Sequence, residues 1–185
     1  MRKLSVFENV SLDGFFVDAA NDMSWAHKHD AEWNAFASGN AGGDGALLFG
    51  RVTYQMMAGF WPTAEAAQML PDVAAGMNRM PKYVASRTLD RAEWTNTTLL
   101  RGDIVDEVRA LKAAPGPDLV ILGSGSIVSQ LAQAGLIDEF QLVVNPVVLG
   151  RGRTLFATVA QRIDLRCTRS RSFSNGNQVL WYEPA

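Results

Sequence analysis

Short apolar runs alternate with amphipathic segments along most of this chain, and near residue 140 the alternation stops. Leu4 to Val10 reads as a first strand, followed by a long polar loop through Trp25. Asp30 is placed as the N-cap of a helix that carries Trp33, Phe36 and Ala37 inward. Ala46 to Phe49 is a buried strand ending at Gly50, and Val52 to Ala58 begins a helix. Pro62 and Pro71 bound a region whose own helix runs from Asp72 to Arg79. Lys82–Ala85 and Thr97–Leu100 are further strands, and Asp103 to Ala113 has the spacing of an amphipathic helix. Leu119 to Leu122 is a continuous apolar run, followed by a helix with Ile127, Leu131 and Ala134 on one face. Beyond it come only strands: Phe140 to Val148, Asp164 to Phe173, and Gln178 to Glu183 across an Asn175-Gly176-Asn177 turn. Alternating strands and helices predict an α/β fold with a mostly parallel sheet, helices on both faces, and an antiparallel hairpin at the C-terminus.

The most informative junction is Gly123-Ser124-Gly125-Ser126, between an apolar strand and a helix. The glycines permit a sharp turn and close approach of another molecule to the backbone. The following helix would aim its unpaired amides and positive dipole end at that turn, a site suited to an anion. No Lys-Ser or Lys-Thr pair follows the glycines, so the turn is not a P-loop, and Val128 stands in place of the third glycine of the dinucleotide fingerprint. Two other strand ends carry comparable chemistry: Gly50-Arg51-Val52-Thr53-Tyr54 and Ser86-Arg87-Thr88. Arg51 and Arg87 can hold phosphate oxygens in a bidentate manner, and Ser86 and Thr88 add hydroxyl groups. In an open α/β sheet the ligand crevice lies at the carboxyl ends of the strands, so the three ends together suit a ligand with several phosphates, such as a dinucleotide.

The 185 residues, 48% of them hydrophobic, are expected to fold as one domain over 1–185. A net charge of −2 argues against nucleic acid as a partner. No apolar run approaches the roughly 20 residues that span a bilayer, which predicts a soluble, cytoplasmic protein without membrane contact. A single cysteine, Cys167, beside only His27 and His29 offers neither a disulfide nor a metal set. We expect a buried or bystander thiol.

The order of FGRVTY, KYVASRT and VILGSGSIVSQL, followed by LIDEFQL, resembles the dihydrofolate reductase superfamily. Within it, VNPVVLGRGRTLF from Val144 to Phe156 is most similar to the reductase domain of riboflavin biosynthesis and its stand-alone relatives. The resemblance implies a three-layer fold around a sheet of about eight strands. It also implies an NADPH cofactor donating hydride to a small heterocyclic or imine-type substrate, as in reduction of 5-amino-6-(5-phosphoribosylamino)uracil. By the same resemblance, Gly50, Arg51 and Thr53 meet the cofactor phosphates, Ser86, Arg87 and Thr88 the 2′-phosphate region, and Gly123, Ser124, Gly125, Ser126 and Ile127 the pyrophosphate, with Asn9 and Phe16 near the nicotinamide. Arg87 between two hydroxyl residues favours NADPH over NADH, because the extra phosphate requires positive charge and donors. A homodimer is expected by resemblance.

On the substrate side, Trp25 and Asp30 match the tryptophan and acid with which dihydrofolate reductases bind and polarise the pterin, and Asn145 lies on the corresponding substrate-side strand. Asp30 as catalytic acid and Asp30 as a plain helix cap both suit the sequence. His27, Lys28 and His29, and the Val144-Asn145-Pro146 segment, depart from the folate enzymes, which argues against dihydrofolate as substrate. The basic cluster at 27–29 could approach a substrate phosphate, or be a solvated loop. There is no HxE with PCxxC, the zinc motif of the deaminase that accompanies the reductase in two-domain riboflavin enzymes. The alternative readings are a nucleotide-binding or interaction protein without chemistry on the same fold, and a dihydrofolate reductase proper.

Overall fold

The computed structural model describes residues 1–28, 30–41 and 43–185. Its strands are β1 (Leu4–Ser11), β2 (Phe15–Asp18), β3 (Ala46–Gly50), β4 (Lys82–Ala85), β5 (Thr97–Leu100), β6 (Leu119–Leu122), β7 (Glu139–Asn145), β8 (Gly152–Thr154), β9 (Leu165–Ser172) and β10 (Gln178–Pro184). Its helices are α1 (Ala31–Ala41), α2 (Arg51–Phe60), α3 (Ala64–Met69), α4 (Pro71–Arg79), α5 (Ile104–Ala113) and α6 (Gly125–Gln133). Eight strands form one sheet in the order β5-β4-β3-β6-β1-β7-β10-β9, while β2 and β8 pair in a separate ribbon. Every neighbour pair from β5 to β7 is parallel, and β10 is antiparallel to both β7 and β9. This is the mostly parallel α/β sheet, closed by an antiparallel hairpin, that the sequence predicts.

Alternation along the strands sends side chains to two different layers. Leu4 and Val6 of β1, Leu48 of β3 and Ile121 of β6 pack with Val108 of α5 and with Val128 and Leu131 of α6. Leu47 and Phe49 of β3 pack on the opposite face with Tyr54 of α2 and with Val73 and Met77 of α4. Further along that face, Trp33 of α1 packs with Val143, Phe173, Val179 and Trp181. Its ring meets Phe173 edge-on at 5.1 Å. Trp94 and Trp181 are buried packing residues, whereas Trp61 packs partly against the α4 layer and also reaches the cavity described below.

Three differences from the predicted elements, and the exposure of Cys167, have clear causes. β7 stops at Asn145 and not Val148, because Pro146 has no amide to continue the ladder. α3 lies between the two prolines; Thr63 caps it by accepting from the Ala66 amide, and Pro71 opens α4 at the position where a missing N–H costs nothing. Part of the polar loop before Trp25 is the strand β2, which finds its partner in β8. Cys167 is exposed, since β9 is an edge strand with most side chains in solvent. No helix among the described residues is long and apolar enough to cross a membrane, and no cluster of metal-ligating side chains occurs among them.

Candidate functional site

The chain runs from β1 outward to β3, β4 and β5, then returns to insert β6 between β3 and β1 before crossing to β7. The strand order therefore reverses around β6, and a crevice opens at the carboxyl ends there. A cavity of about 900 Å³ occupies that place. Its floor is the sheet face carrying Leu47, Val120, Ser5, Phe7 and Gln141, and residues of α1, α2 and α4 stand at its sides. The burial of β1 and β6 alternates accordingly: Leu4, Val6, Leu119 and Ile121 are buried, while Ser5, Phe7, Val120 and Leu122 stay half-open.

Two strand-to-helix turns meet at the mouth. Gly123 and Ser124 both take left-handed backbone angles, with φ of 65° and 70°. This turn brings the Ser124 hydroxyl against the β3–α2 turn, where it accepts from the Gly50 amide at 2.7 Å and donates to Thr53 Oγ1 at 2.9 Å. A Cβ on Gly50 would stand 3.1 Å from Ser124 Oγ, and one on Gly123 3.1 Å from Thr53 Cγ2, so both glycines are required for this approach. Because Ser124 spends its side chain on the neighbouring turn, it does not cap α6. The amides of Gly125 and Ser126 make no hydrogen bond among the described residues, so two donors and the positive end of α6 face the cavity mouth.

Over this turn lies Phe16, whose ring edge occupies the space beside Gly125: a Cβ there would stand 2.5 Å from Phe16 Cε1. The β2–β8 ribbon holds Phe16 in place, and the Arg153 guanidinium lies 5.2 Å from its ring centre. Asp13 fixes the base of the ribbon by accepting from Ser11 Oγ and from the amides of Leu149 and Gly150. Those bonds, the Ser11 hydroxyl foremost, lower its pKa to about 2.

Of the residues singled out from sequence, Asn9, Phe16, Gly50, Arg51, Thr53 and the whole run Gly123 to Ile127 line this one cavity. Arg51 is exposed at the start of α2, its guanidinium donating to Gln55 Oε1 at 3.0 Å. Ser86, Arg87 and Thr88 do not line the cavity, although Ala85 just before them does. Ser86 Oγ accepts from the Thr88 and Leu89 amides and shapes that turn; Arg87 and Thr88 are exposed, and Thr88 lines a separate hollow with Tyr54 and Trp94.

The residues assigned to the substrate side lie elsewhere. Trp25 donates its indole N–H to the Asp22 carbonyl in a short helical turn and is not part of the lining. Asp30 does cap α1, accepting from the Trp33 amide at 2.8 Å, while its Oδ2 is buried without a partner. Asn145 is 0% exposed and donates to Asn9 Oδ1 at 3.2 Å, tying the end of β7 to the cavity-lining strand β1. His27 is exposed and Lys28 donates to the Asn175 carbonyl; His29 lies outside the described residues.

One group in the cavity was not singled out at all. Glu8 is only 3% exposed, yet it borders the cavity. Pairing between β1 and β6 ends at Phe7 and Leu122, so the neighbour of Glu8 on that side is the Gly123 turn. A Cβ on Gly123 would lie 3.9 Å from Glu8 Oε2. Oε1 accepts from the Asn9 amide, and Oε2 is buried without a partner. Burial raises the pKa of Glu8 to about 8, against a smaller opposing effect of the Asn9 amide. The signal was present in the sequence: Glu8 falls in phase with Leu4, Val6 and Val10, on the buried face of an apolar strand.

A crevice with free helix-terminal amides, a guanidinium at its rim and a neutral acid within it is equipped to hold an anionic ligand and shield it from water. Several known proteins share this framework. The chain is 31% identical over 174 residues to the Bacillus subtilis protein YyaP, covering 94% of this chain and 90% of that one. Among solved structures, it superposes on a Shewanella sp. PV-4 protein described as a riboflavin biosynthesis protein, with a TM-score of 0.75 and 22% identity over 99% of each chain. A Thermotoga maritima deaminase and 5-amino-6-(5-phosphoribosylamino)uracil reductase matches with a TM-score of 0.68 and 12% identity, covering 100% of this chain and 57% of that one. An Enterococcus faecalis dihydrofolate reductase bound to NADP(H) matches with a TM-score of 0.64 and 15% identity, over 98% and 96%. The fold is therefore dihydrofolate reductase-like, of the riboflavin-pathway reductase type. The family model for the RibD C-terminal domain matches residues 2–179, and the chain belongs to that family.

Proposed function

We propose that this protein is an NADPH-dependent reductase acting on a small heterocyclic or imine-type substrate, of the kind represented by 5-amino-6-(5-phosphoribosylamino)uracil. The observation that carries the reading is the junction made by Ser124, which brings Arg51, Thr53 and the open amides of Gly125 and Ser126 to one cavity. The residues present fit a dinucleotide phosphate chain. The amides and the α6 dipole suit a pyrophosphate, and Arg51 and Thr53 add a charge and a hydroxyl beside it. Arg87, exposed two residues past cavity-lining Ala85, is available for a further phosphate on the adenosine side. NADPH, when bound, supplies the hydride. The chain's own part is to orient the cofactor and substrate against the face of β1, β6 and β7 and to exclude water beneath Phe16.

Titration with NADPH and NADH, followed by tryptophan fluorescence, tests the reading, and Trp61 in the cavity lining provides the reporter. NADPH should change the emission at micromolar concentration and NADH should bind more weakly. Absence of any response, or equal affinity for the two, would overturn it. A nucleotide-binding protein without chemistry is favoured by one observation, the use of Asp30 as a helix cap away from the cavity lining. Assay of the wild type with NADPH and the pyrimidine substrate separates the two: turnover identifies the enzyme, and NADPH binding without turnover the binder.

A further inference from the structure

Glu8 is a buried carboxyl group with no use in the fold. An acid placed in phase with the core residues of a central strand costs stability unless a partner compensates its burial. Here Oε2 has no partner, and Oε1 takes only the amide of the next residue. The group is nonetheless at the wall of the cavity, next to the Gly123 turn and on the same lining as Phe16 and Thr53. An unsatisfied polar atom in such a place points to a ligand.

We propose that Glu8 is a ligand-binding residue that acts as an uncharged carboxylic acid, donating a hydrogen bond to an acceptor on the bound dinucleotide, so that binding of the anion and retention of the Glu8 proton are coupled. The inference rests on the cofactor reading given above. Its physics is that of a carboxyl group in a dry site: the neutral form is both donor and acceptor, whereas the carboxylate would be an unpaired charge beside a multiply charged anion. The burial that raises its pKa to about 8 already keeps it protonated at neutral pH before any ligand arrives.

Among the described residues, no cation is placed to hold Glu8 ionised. Opposite it in the ladder stands Leu142, flanked by Gln141 and Val143. The Gly123 turn and Thr53 of α2 are uncharged, and Phe16 contributes only a ring. The charged groups elsewhere on the cavity lining are Arg51 of α2, Arg153 of β8 and Asp118 before β6. Burial is the largest cause of the Glu8 shift, and the Asn9 amide is the one opposing contribution.

The test is the affinity for NADPH between pH 7 and 9.5, followed by tryptophan fluorescence on the wild type and on Glu8→Gln. The 2′-phosphate of NADPH, whose second ionisation lies at about 6, is mostly ionised by pH 7 and changes little above it, and the pyrophosphate diester has no proton to lose in this range. The wild-type affinity should fall once the pH passes about 8, approaching tenfold per pH unit as one proton is linked to binding. In Glu8→Gln, whose amide donates at every pH, the affinity should be flat over the same interval. Wild-type binding that is strong and independent of pH overturns the role of Glu8 and leaves the cofactor reading standing. A fall with pH that persists in Glu8→Gln does the same. No binding of NADPH at any pH overturns both. A wild-type profile without a fall overturns the role of Glu8 even if the variant fails to fold.

Discussion

Replacing Glu8 by Gln in the ligand-free protein should change how stability depends on pH, in a direction set by the burial of the carboxyl group. The folded-state pKa is about 8 against an ordinary 4.5, because burial disfavours the carboxylate. Between those values the folded chain keeps a proton that the unfolded chain has released. Folding therefore takes up a proton in that window, and the contribution of Glu8 to stability, fully present below pH 4.5, is lost as pH rises towards 8. Linkage at about 1.36 kcal/mol per pH unit, reduced near each pKa, makes the loss between pH 5 and pH 8 about 3–4 kcal/mol, a large part of a typical domain's stability. Glutamine has the same shape and no titration. Urea unfolding of both proteins at pH 5, 6, 7 and 8, with the difference in extrapolated free energy plotted against pH, isolates Glu8 from every other titrating group. The wild type should lose ground to Glu8→Gln steadily across the series. A difference that stays constant within about 0.5 kcal/mol would mean that folded Glu8 is ionised and solvated, and the account of its burial would be wrong.

Three other expectations follow from named contacts. Gly125→Ala places a methyl 2.5 Å from Phe16 Cε1 and should cost about 1–3 kcal/mol in thermal or urea unfolding. Most of that should be recovered relative to Phe16→Ala in the double variant, and additivity of the two would refute the contact. Lys82 is 0% exposed and donates to the carbonyls of Asn78, Met80 and Thr95 at 2.8–3.1 Å, with Trp94 4.4 Å away. Lys82→Met should therefore cost about 2 kcal/mol through the orphaned carbonyls. Burial lowers the Lys82 pKa from 10.5 to about 8, so the folded state binds fewer protons in that interval and the wild type should gain on Lys82→Met as pH rises across it. Arg87→Ala should narrow the preference for NADPH over NADH by about tenfold, measured by fluorescence titration, with little change in NADH affinity.

The sheet was legible in the sequence where periodicity is strong and neighbours are close in the chain. β3, β6 and α5 appear within a residue or two of their predicted ends, because an apolar run bounded by glycine, or a helix opened by an acidic cap such as Asp103, needs no tertiary information. The β2–β8 ribbon was not legible. Its strands carry four and three residues and meet across more than a hundred positions, so neither holds a pattern by itself. α3 had a signal, the cap at Thr63, but it lies between prolines that read as loop punctuation.

For the site, sequence reasoning worked where the chemistry resides in backbone geometry and was weakest where it resides in burial. Gly50, Gly123 and Gly125 announce close approach wherever they fall at strand ends, and the structure brings all three to one cavity. That Ser124 would leave α6 uncapped in order to join the two turns could not be read from residue order, since it depends on a left-handed backbone at a non-glycine position. Glu8 shows the same limit from the other side. A glutamate in a strand ordinarily marks the solvent face, and Ser5, Phe7 and Asn9 give that face no clear polar character. Only its phase with Leu4, Val6 and Val10 assigns it inward, and only the point where β1 outruns β6 explains why it is tolerated there. Past Leu122 the next strand no longer covers β1, and the Gly123 turn, with no side chain of its own, leaves the carboxyl the room at the cavity wall that a core position would deny it.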